Sequence, residues 1–255
     1  MHTRPYRHRA GPAAAAPALA ALLVHESDRD LPRVAIPRPN IQLVVRIGPS
    51  ARDGLDAHAL GIRQQAHRKV VPGGQRAVFA RLHLSTHQAA LGAPGAALAG
   101  RVVALEDLWG EAAARRLRER LAGARDTAAA AAMLERAIAE RIAAAPAPGS
   151  HARLAAEAAA RLADGSVRSV ACALGVSERH LRRIFRETVG VSPKAFARLA
   201  RFHRALSAAR RDGTTHWAAI AAAAGYFDQA HLIAEFHAIA GATPRALLAE
   251  LRAAG

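Results

Sequence analysis

Apolar residues alternate or cluster in short runs over the first third of the chain and recur at helical spacing over the rest. The runs IQLVVRI (41–47) and AVFARLHLS (77–85) predict strands, and GPSARDG, VPGGQ and GAPG predict the turns between them. Between 105 and 145 the period changes. Leu117 with Leu121, and Leu134 with Ile138 and Ile142, predict at least two helices. PAPGS (146–150) predicts a linker whose Ser150 caps the next helix, and helical patterns cut by short turns continue to residue 253. The expected architecture is α+β: a β-rich module over 1–104, a helical connector over 105–149 and an all-α domain over 150–255.

Inside the all-α part the chain writes one unit twice. GVSERHLRRIFRETVGVSP (175–193) and GYFDQAHLIAEFHAIAGATP (225–244) match at His180 and His231, Leu181 and Leu232, Phe185 and Phe236, Gly190 and Gly241, and Pro193 and Pro244, each pair 51 positions apart. Each copy reads as a short apolar helix, a glycine, a capped turn, a second helix and Gly-x-x-Pro. Ser166, Ser177 and Asp228 are expected caps, and Ser192 and Thr243 each place a capping hydroxyl before a proline at the first helical position. Val170, Ala171 and Leu174 share one face of the first short helix, as Ile220, Ala221 and Ala224 do in the second. Gly175 and Gly225 supply the left-handed backbone that ends each helix. This is a helix-turn-helix pattern in duplicate.

The second helix of the first copy divides into faces. Leu181, Ile184 and Phe185 are expected in the core, while Arg179, Arg182, Arg183 and Arg186 point away, long enough to reach phosphates and guanine edges. His180 shares its place with His231, which suggests packing or a backbone contact. The segment KAFARLARFHRALSAARR (194–211) reads as one longer helix with Phe196, Leu199, Phe202 and Leu206 inward and Arg198, Arg201 and Arg204 more exposed. At ~1.5 Å per residue it spans roughly 27 Å, enough to hold two helices in major grooves about one turn, ~34 Å, apart.

Charge sharpens this picture by its location. A formal net charge of +16 and a pI near 11.6 invite a polyanion, nucleic acid first and a membrane surface second. The basic residues are nearly all Arg, with Lys only at 69 and 194, and a GC-rich genome produces the same bias. The clustering carries more weight. Positions 179, 182, 183, 186, 194, 198, 201 and 204 are Arg or Lys against Glu178 and Glu187, a local net of +6.

Residues 150–255 resemble the DNA-binding domain of the AraC/XylS family of bacterial transcription regulators, most specifically in AAAAGYFDQAHLIAEFHAIAGATPRAL. Residues 40–145, especially GRVVALEDLWG, resemble the N-terminal module of one subgroup of these regulators. The resemblance implies sequence-specific binding of double-stranded DNA by two helix-turn-helix units. It also implies an N-terminal module that senses a small-molecule effector or mediates homodimerisation. It places base reading on Arg179, Arg182 and Arg183 in the first unit and on Gln229, Ala230 and His231 in the second. With the cap Ser177, His180, Arg186 and Lys194, these form the candidate DNA-binding set. The second unit departs from the family pattern at Ala234 and His237, where basic residues are common. From 210 to 255, Arg210, Arg211, Arg245 and Arg252 balance Asp212, Asp228, Glu235 and Glu250. The first unit is therefore expected to dominate DNA affinity, with the second tuning it or contacting a partner such as RNA polymerase.

Other readings compete. His58, His67, His83 and His87 match no metal-ligand spacing, no Ser lies in a G-x-S-x-G context, and the lone Cys172 sits inside the first helix-turn-helix. No catalytic, metal or cofactor site is expected, which disfavours a regulator fused to an enzymatic N-terminal domain. A basic interaction module that binds nucleic acid without sequence preference is the remaining alternative. A single cysteine fits a reducing cytoplasm and is expected to be a buried, inert thiol. Basic residues before the apolar run Ala13 to Val24 superficially resemble a secretory signal, but Pro12 precedes the run and Pro17 interrupts it. No stretch approaches the ~18 apolar residues of a membrane span. Trp109 is expected to anchor the core.

Overall fold

The computed structural model of the chain describes residues 4–5, 19–212 and 216–253. Among the described residues the N-terminal part holds eight strands: β1 (Arg4–Pro5), β2 (Leu19–Ser27), β3 (Leu31–Ala35), β4 (Gln42–Ile47), β5 (Leu55–Leu60), β6 (His67–Val71), β7 (Gln75–Leu82) and β8 (Val102–Ala104). They form an antiparallel sheet of order β1-β2-β7-β4-β5-β8 and a separate β3-β6 ribbon. The expected strand at 41–47 is β4, and the one at 77–85 is β7, which ends at Leu82. GPSARDG makes the β4–β5 hairpin turn, closed by Gly48 N donating to Gly54 O at 2.9 Å. GAPG lies instead between two short helices, α1 (His87–Leu91) and α2 (Gly95–Leu98). Of the apolar run compared with a secretory signal, residues 13–18 fall outside the described residues. Leu19 to Val24 belong to β2, paired along β7.

Cross-strand partners share a face of a sheet, so the register sorts the side chains. Leu22, Leu43, Ala59 and Ala80 form one row and Val24, Val45, Ala57 and Val78 the next. All but the half-buried Val24 are buried, under the helices that follow. Those helices are α3 (Leu105–Trp109), α4 (Glu111–Ala122) and α5 (Thr127–Ala144). The connector therefore contains three helices, with α4 on β5 and α5 on β2 and β7. Leu117, Leu121, Leu134 and Ile138 are buried as their spacing implies. Asp126 caps α5 by accepting from Ala129 N at 2.6 Å. Trp109 packs against this core, donating Nε1–H to Ala90 O at 3.0 Å beneath the Arg141 guanidinium, 4.6 Å from the ring centroid.

The opposite face of the sheet mixes polar and apolar residues. Ala21, Arg81, Gln42 and Leu60 form one row, Leu23, Phe79, Val44 and His58 the next, and His25, Ala77, Arg46 and Asp56 the third. The β3-β6 ribbon folds over this face, where the Arg33 guanidinium hydrogen-bonds the His25 ring at 2.6 Å.

Beyond the linker the chain is helical: α6 (Ser150–Arg161), α7 (Val167–Ala173), α8 (Glu178–Val189), α9 (Pro193–Asp212), α10 (Trp217–Ala224), α11 (Gln229–Ala240) and α12 (Pro244–Ala253). Ser150 is not the cap of α6. The helix starts one residue earlier, with Gly149 at the cap position, and Ser150 is its first helical residue. Among the described residues no helix is long and apolar enough to cross a membrane.

Candidate nucleic-acid interface

The two copies build the same turn and second helix. Ser177 Oγ accepts from His180 N at 3.2 Å and, 51 positions on, Asp228 Oδ1 accepts from His231 N at 2.7 Å. Gly175 and Gly225 sit at φ 66° and 82°, the left-handed region where a side chain is strained. Val176 N then closes on Ala171 O at 3.0 Å and Tyr226 N on Ala221 O at 2.9 Å. Ser166 caps α7, accepting from Ser169 N at 3.0 Å. Ser192 and Thr243 accept from Ala195 N and Ala246 N, both at 3.2 Å, just ahead of the first turns opened by Pro193 and Pro244. Leu181, Ile184 and Phe185, like Leu232 and Phe236, are fully buried. Phe185 packs edge-on to Phe196 and Phe202 lies 4.6 Å from Phe236, so α9 is the shared core of both units.

The outward faces differ. On α8, Arg179, Arg182, Arg183 and Arg186 are all exposed. Arg182 pairs with Glu178, and Arg183 with Glu187 at 3.1 Å, both one helical turn apart. Exposed pairs of this kind contribute roughly 0.3–0.5 kcal/mol, so a phosphate readily displaces the carboxylate. Lys194 is exposed at the start of α9, and Ser177 is spent on the cap. His180 is half-buried, its ring edge-on to that of His151 at 6.2 Å. On α11, Gln229, Ala230, His231, Ala234 and His237 are exposed. His231 also braces its own turn: its ring lies 5.3 Å from Tyr226 and its Nδ1 accepts from Phe227 N at 3.4 Å. Phe227, which the sequence reading passed over, is 92 % exposed in that turn. A Phe beside Tyr226 reads as core from pattern alone.

The local net of +6 overstates what faces outward. Arg198, Arg201 and Arg204, expected to be more exposed, are half-buried. Arg198 bonds Glu235 of α11 at 2.7 Å, and the Arg201 guanidinium lies 5.5 Å from the Tyr226 ring centroid. Arg204 pairs with Asp164 at 3.0 Å and donates to Ala163 O. All three tie α9 to its neighbours. Cys172 is also corrected: it is exposed, because Val170 and Ala171 take the inward positions of the short α7.

The N-terminal part grips this domain at three places. At the end of α8, Gly190 and Gly95 meet so closely that a Cβ on Gly190 would lie 2.3 Å from Gly95 O. His87, one of the histidines considered as a ligand, is buried there with Nε2 2.9 Å from Thr188 O and Nδ1 2.9 Å from Leu84 O. Burial pushes its pKa down and the two carbonyls partly restore it. At the end of α11, Ala66 N donates to Ile239 O at 2.7 Å, and Arg68 pairs with Glu250 of α12 at 3.0 Å. An open cleft of about 710 Å³ adjoins this contact, lined by residues including Arg63, His67, Val191 and Arg198. At the middle of α9, His203 Nε2 lies 2.5 Å from Pro37 O. Burial, with Arg38 and Arg81 nearby, holds His203 down at about 4. The other three candidate histidines lie apart: His58 is on the second sheet face beside Asp56, His67 borders the cleft, and His83 is half-buried just before α1, its carbonyl accepting from His87 N at 2.9 Å. Among the described residues no three His, Cys, Asp or Glu side chains converge as a metal site would require.

Comparison with known proteins matches residues 170–250 to a family described as a helix-turn-helix domain. No curated protein matches the chain. Solved structures similar to it include ToxT from Vibrio cholerae O395, at 8% identity and a TM-score of 0.45, covering 90% of this chain and 96% of that one. The same protein bound to (E)-4-(8-methylnaphthalen-1-yl)but-3-enoic acid matches at 8% identity and a TM-score of 0.48, covering 90% and 97%. ToxT from strain SCE256 with an unsaturated fatty acid bound matches at 9% identity and 0.43, covering 89% and 93%. With its paired caps, glycine turns and Arg-bearing α8, the segment 170–250 is a DNA-binding helix-turn-helix domain of the AraC type.

Proposed function

We propose that the chain is a sequence-specific transcription regulator that inserts α8 and α11 into successive major grooves of double-stranded DNA. The observation that carries this reading is the outward face of α8. Four arginines stand there on a helix held by a cap, a left-handed glycine and a fully buried opposite side. Guanidinium forks match guanine O6 and N7 and also bind phosphates, so one face supplies both specificity and affinity. The 20 residues of α9 span about 30 Å, which suits two helices one DNA turn apart.

The first unit dominates affinity in this reading. Arg179, Arg182, Arg183, Arg186 and Lys194 are the phosphate and guanine contacts, while Gln229, Ala230 and His231 tune the second half-site. The neutral second unit also offers a surface to RNA polymerase. The N-terminal module, with its connector, acts as a small-molecule sensor, supported by a sheet face crowded with cations and by its three contacts to the DNA-binding helices. The protein works in the cytoplasm and catalyses no reaction.

Selection of the full chain against a randomised duplex pool tests the reading, repeated with Arg182 and Arg183 both changed to Ala. Enrichment of a motif with two elements about one turn apart, lost in the double variant, is the expected result. Salt-sensitive binding without enrichment overturns it in favour of a basic interaction module.

A further inference from the structure

The turn of the second helix-turn-helix is one residue longer than that of the first. Gly175 and Gly225 lie 50 positions apart, whereas the caps Ser177 and Asp228 lie 51 apart, as do the landmarks that follow them to Pro193 and Pro244. The bonds locate the extra residue. Val176 N closes on Ala171 O and Ser177 follows at once as the cap. Tyr226 N closes on Ala221 O, but Phe227 intervenes before the cap Asp228. Phe227 is therefore the residue with no counterpart in the first copy, and it is the one left 92 % exposed.

Singly exposed apolar side chains are common on protein surfaces, so its place matters more than its exposure. Val70 and Val102, also apolar and exposed, lie on β6 and β8, while Phe227 stands in the helix-turn-helix directly ahead of α11. Gln229 and Ala230 open that helix and are exposed beside it. In a helix-turn-helix this end of the second helix meets base edges in the major groove. The turn itself is held in shape: Tyr226 is buried, and the His231 ring packs edge-on to it at 5.3 Å.

Charge narrows what such a surface can read. Residues 212–244 contain no Lys or Arg, so α10, the turn and α11 offer no guanidinium for guanine O6 and N7. What the groove end of α11 presents is one amide and two apolar groups. Those complement A·T pairs, since Gln pairs bidentately with adenine N6 and N7 and apolar side chains pack on the thymine C5-methyl.

We propose that the second unit reads an A·T half-element, with Phe227 packed on a thymine C5-methyl, Gln229 on an adenine edge, and Ala230 small enough to let the helix approach. Phe227 is then a specificity-determining residue that the first unit lacks, and the arginines of α8 read guanines in the other half-element. The inference rests on the regulator reading and gives that reading's second half-site its base class.

The test starts from the duplex that the full chain enriches. Thymidine is replaced by deoxyuridine one position at a time, which removes only the C5-methyl, and binding is titrated. One half-element is expected to be dominated by A·T pairs, and uracil at one or two of its thymines to weaken binding roughly fourfold, the effect of uncovering one buried methyl. Phe227→Ala is expected to bind the thymine duplex about tenfold more weakly and to bind the thymine and uracil duplexes equally. It is expected to keep the parent's Tm, because the side chain it removes is exposed. Phe227→Leu, which still covers a methyl, is expected to retain part of the discrimination. A motif with both half-elements G·C-rich, uracil without effect at every position, or an equal uracil penalty in parent and Phe227→Ala overturns the inference and leaves the regulator. Unchanged affinity in Phe227→Ala also overturns it and assigns the side chain to a protein partner. Failure to enrich any motif removes the regulator reading, and this inference with it.

Discussion

The two helix-turn-helix units share a skeleton and differ in their skin. Ser177 and Asp228 cap α8 and α11 at the same place, Gly190 and Gly241 end them at φ 88° and 65°, and Phe185 and Phe236 pack against α9 at Phe196 and Phe202. Outside, α8 carries four arginines where α11, 51 positions on, carries Ala230, the half-buried Ile233, Ala234 and His237. The difference has a simple origin. A cap, a left-handed turn and a buried ring each accept few residue types, whereas an exposed helix face tolerates almost any residue that a partner does not constrain. The skeleton therefore identifies the motif, and the skin divides the work between the copies.

That division can be broken or sharpened by experiment, starting with the largest effect. Phe185→Ala and Phe236→Ala each remove a fully buried ring and are expected to cost about 3–5 kcal/mol in chemical denaturation. Similar values confirm equivalent skeletons, and one near zero means that unit is not packed on α9. Next, Arg182→Ala with Arg183→Ala is expected to weaken binding to a selected duplex by roughly 10²-fold or more, at ~1–3 kcal/mol per lost base contact. Gln229→Ala is expected to cost about tenfold at most in the same titration; equal losses in the two experiments abolish the asymmetry. Third, Arg186→Ala is expected to lower the slope of log affinity against log salt by about one, and His237→Ala at neutral pH to leave it unchanged. Smallest, Ser177→Ala and Asp228→Ala are each expected to cost about 1 kcal/mol of stability. Asp228→Ser, which transplants the first copy's cap into the second, is expected to cost only a few tenths.

Much of this was legible in the residues because the repeat shows itself. The spacing of Gly, Leu, Phe and Pro marks both copies, and the caps at Ser166, Ser177, Asp228, Ser192 and Thr243 are local bonds between near neighbours. The strands were harder. β6 is HRKVV, exposed except at Val71, and its pattern carries no apolar alternation; it is a strand because β3 pairs with it. β2 is Ala- and Leu-rich enough that its alternation blurs into a continuous apolar run. The fates of the arginines were least legible. Arg186 and Arg198 look alike in sequence, yet one faces solvent and the other meets Glu235, 37 positions away. Ser150 follows the same logic in miniature: a plausible cap by type, it is the first helical residue because Gly149 takes the cap position.

By itself the sequence determined the α+β order, the duplicated helix-turn-helix, its capped and glycine-ended helices, and the basic face of α8. These follow from short-range periodicity, cap chemistry and backbone conformation, all written within about one helical turn or one hairpin. Only the tertiary structure decided which arginines are spent inside the protein, that Gly95 and Gly190 meet at van der Waals limits, and that His203 of α9 meets the Pro37 carbonyl. Those outcomes depend on which distant elements pack together, and burial and electrostatic field at a side chain are properties of that packing rather than of its neighbours in the chain.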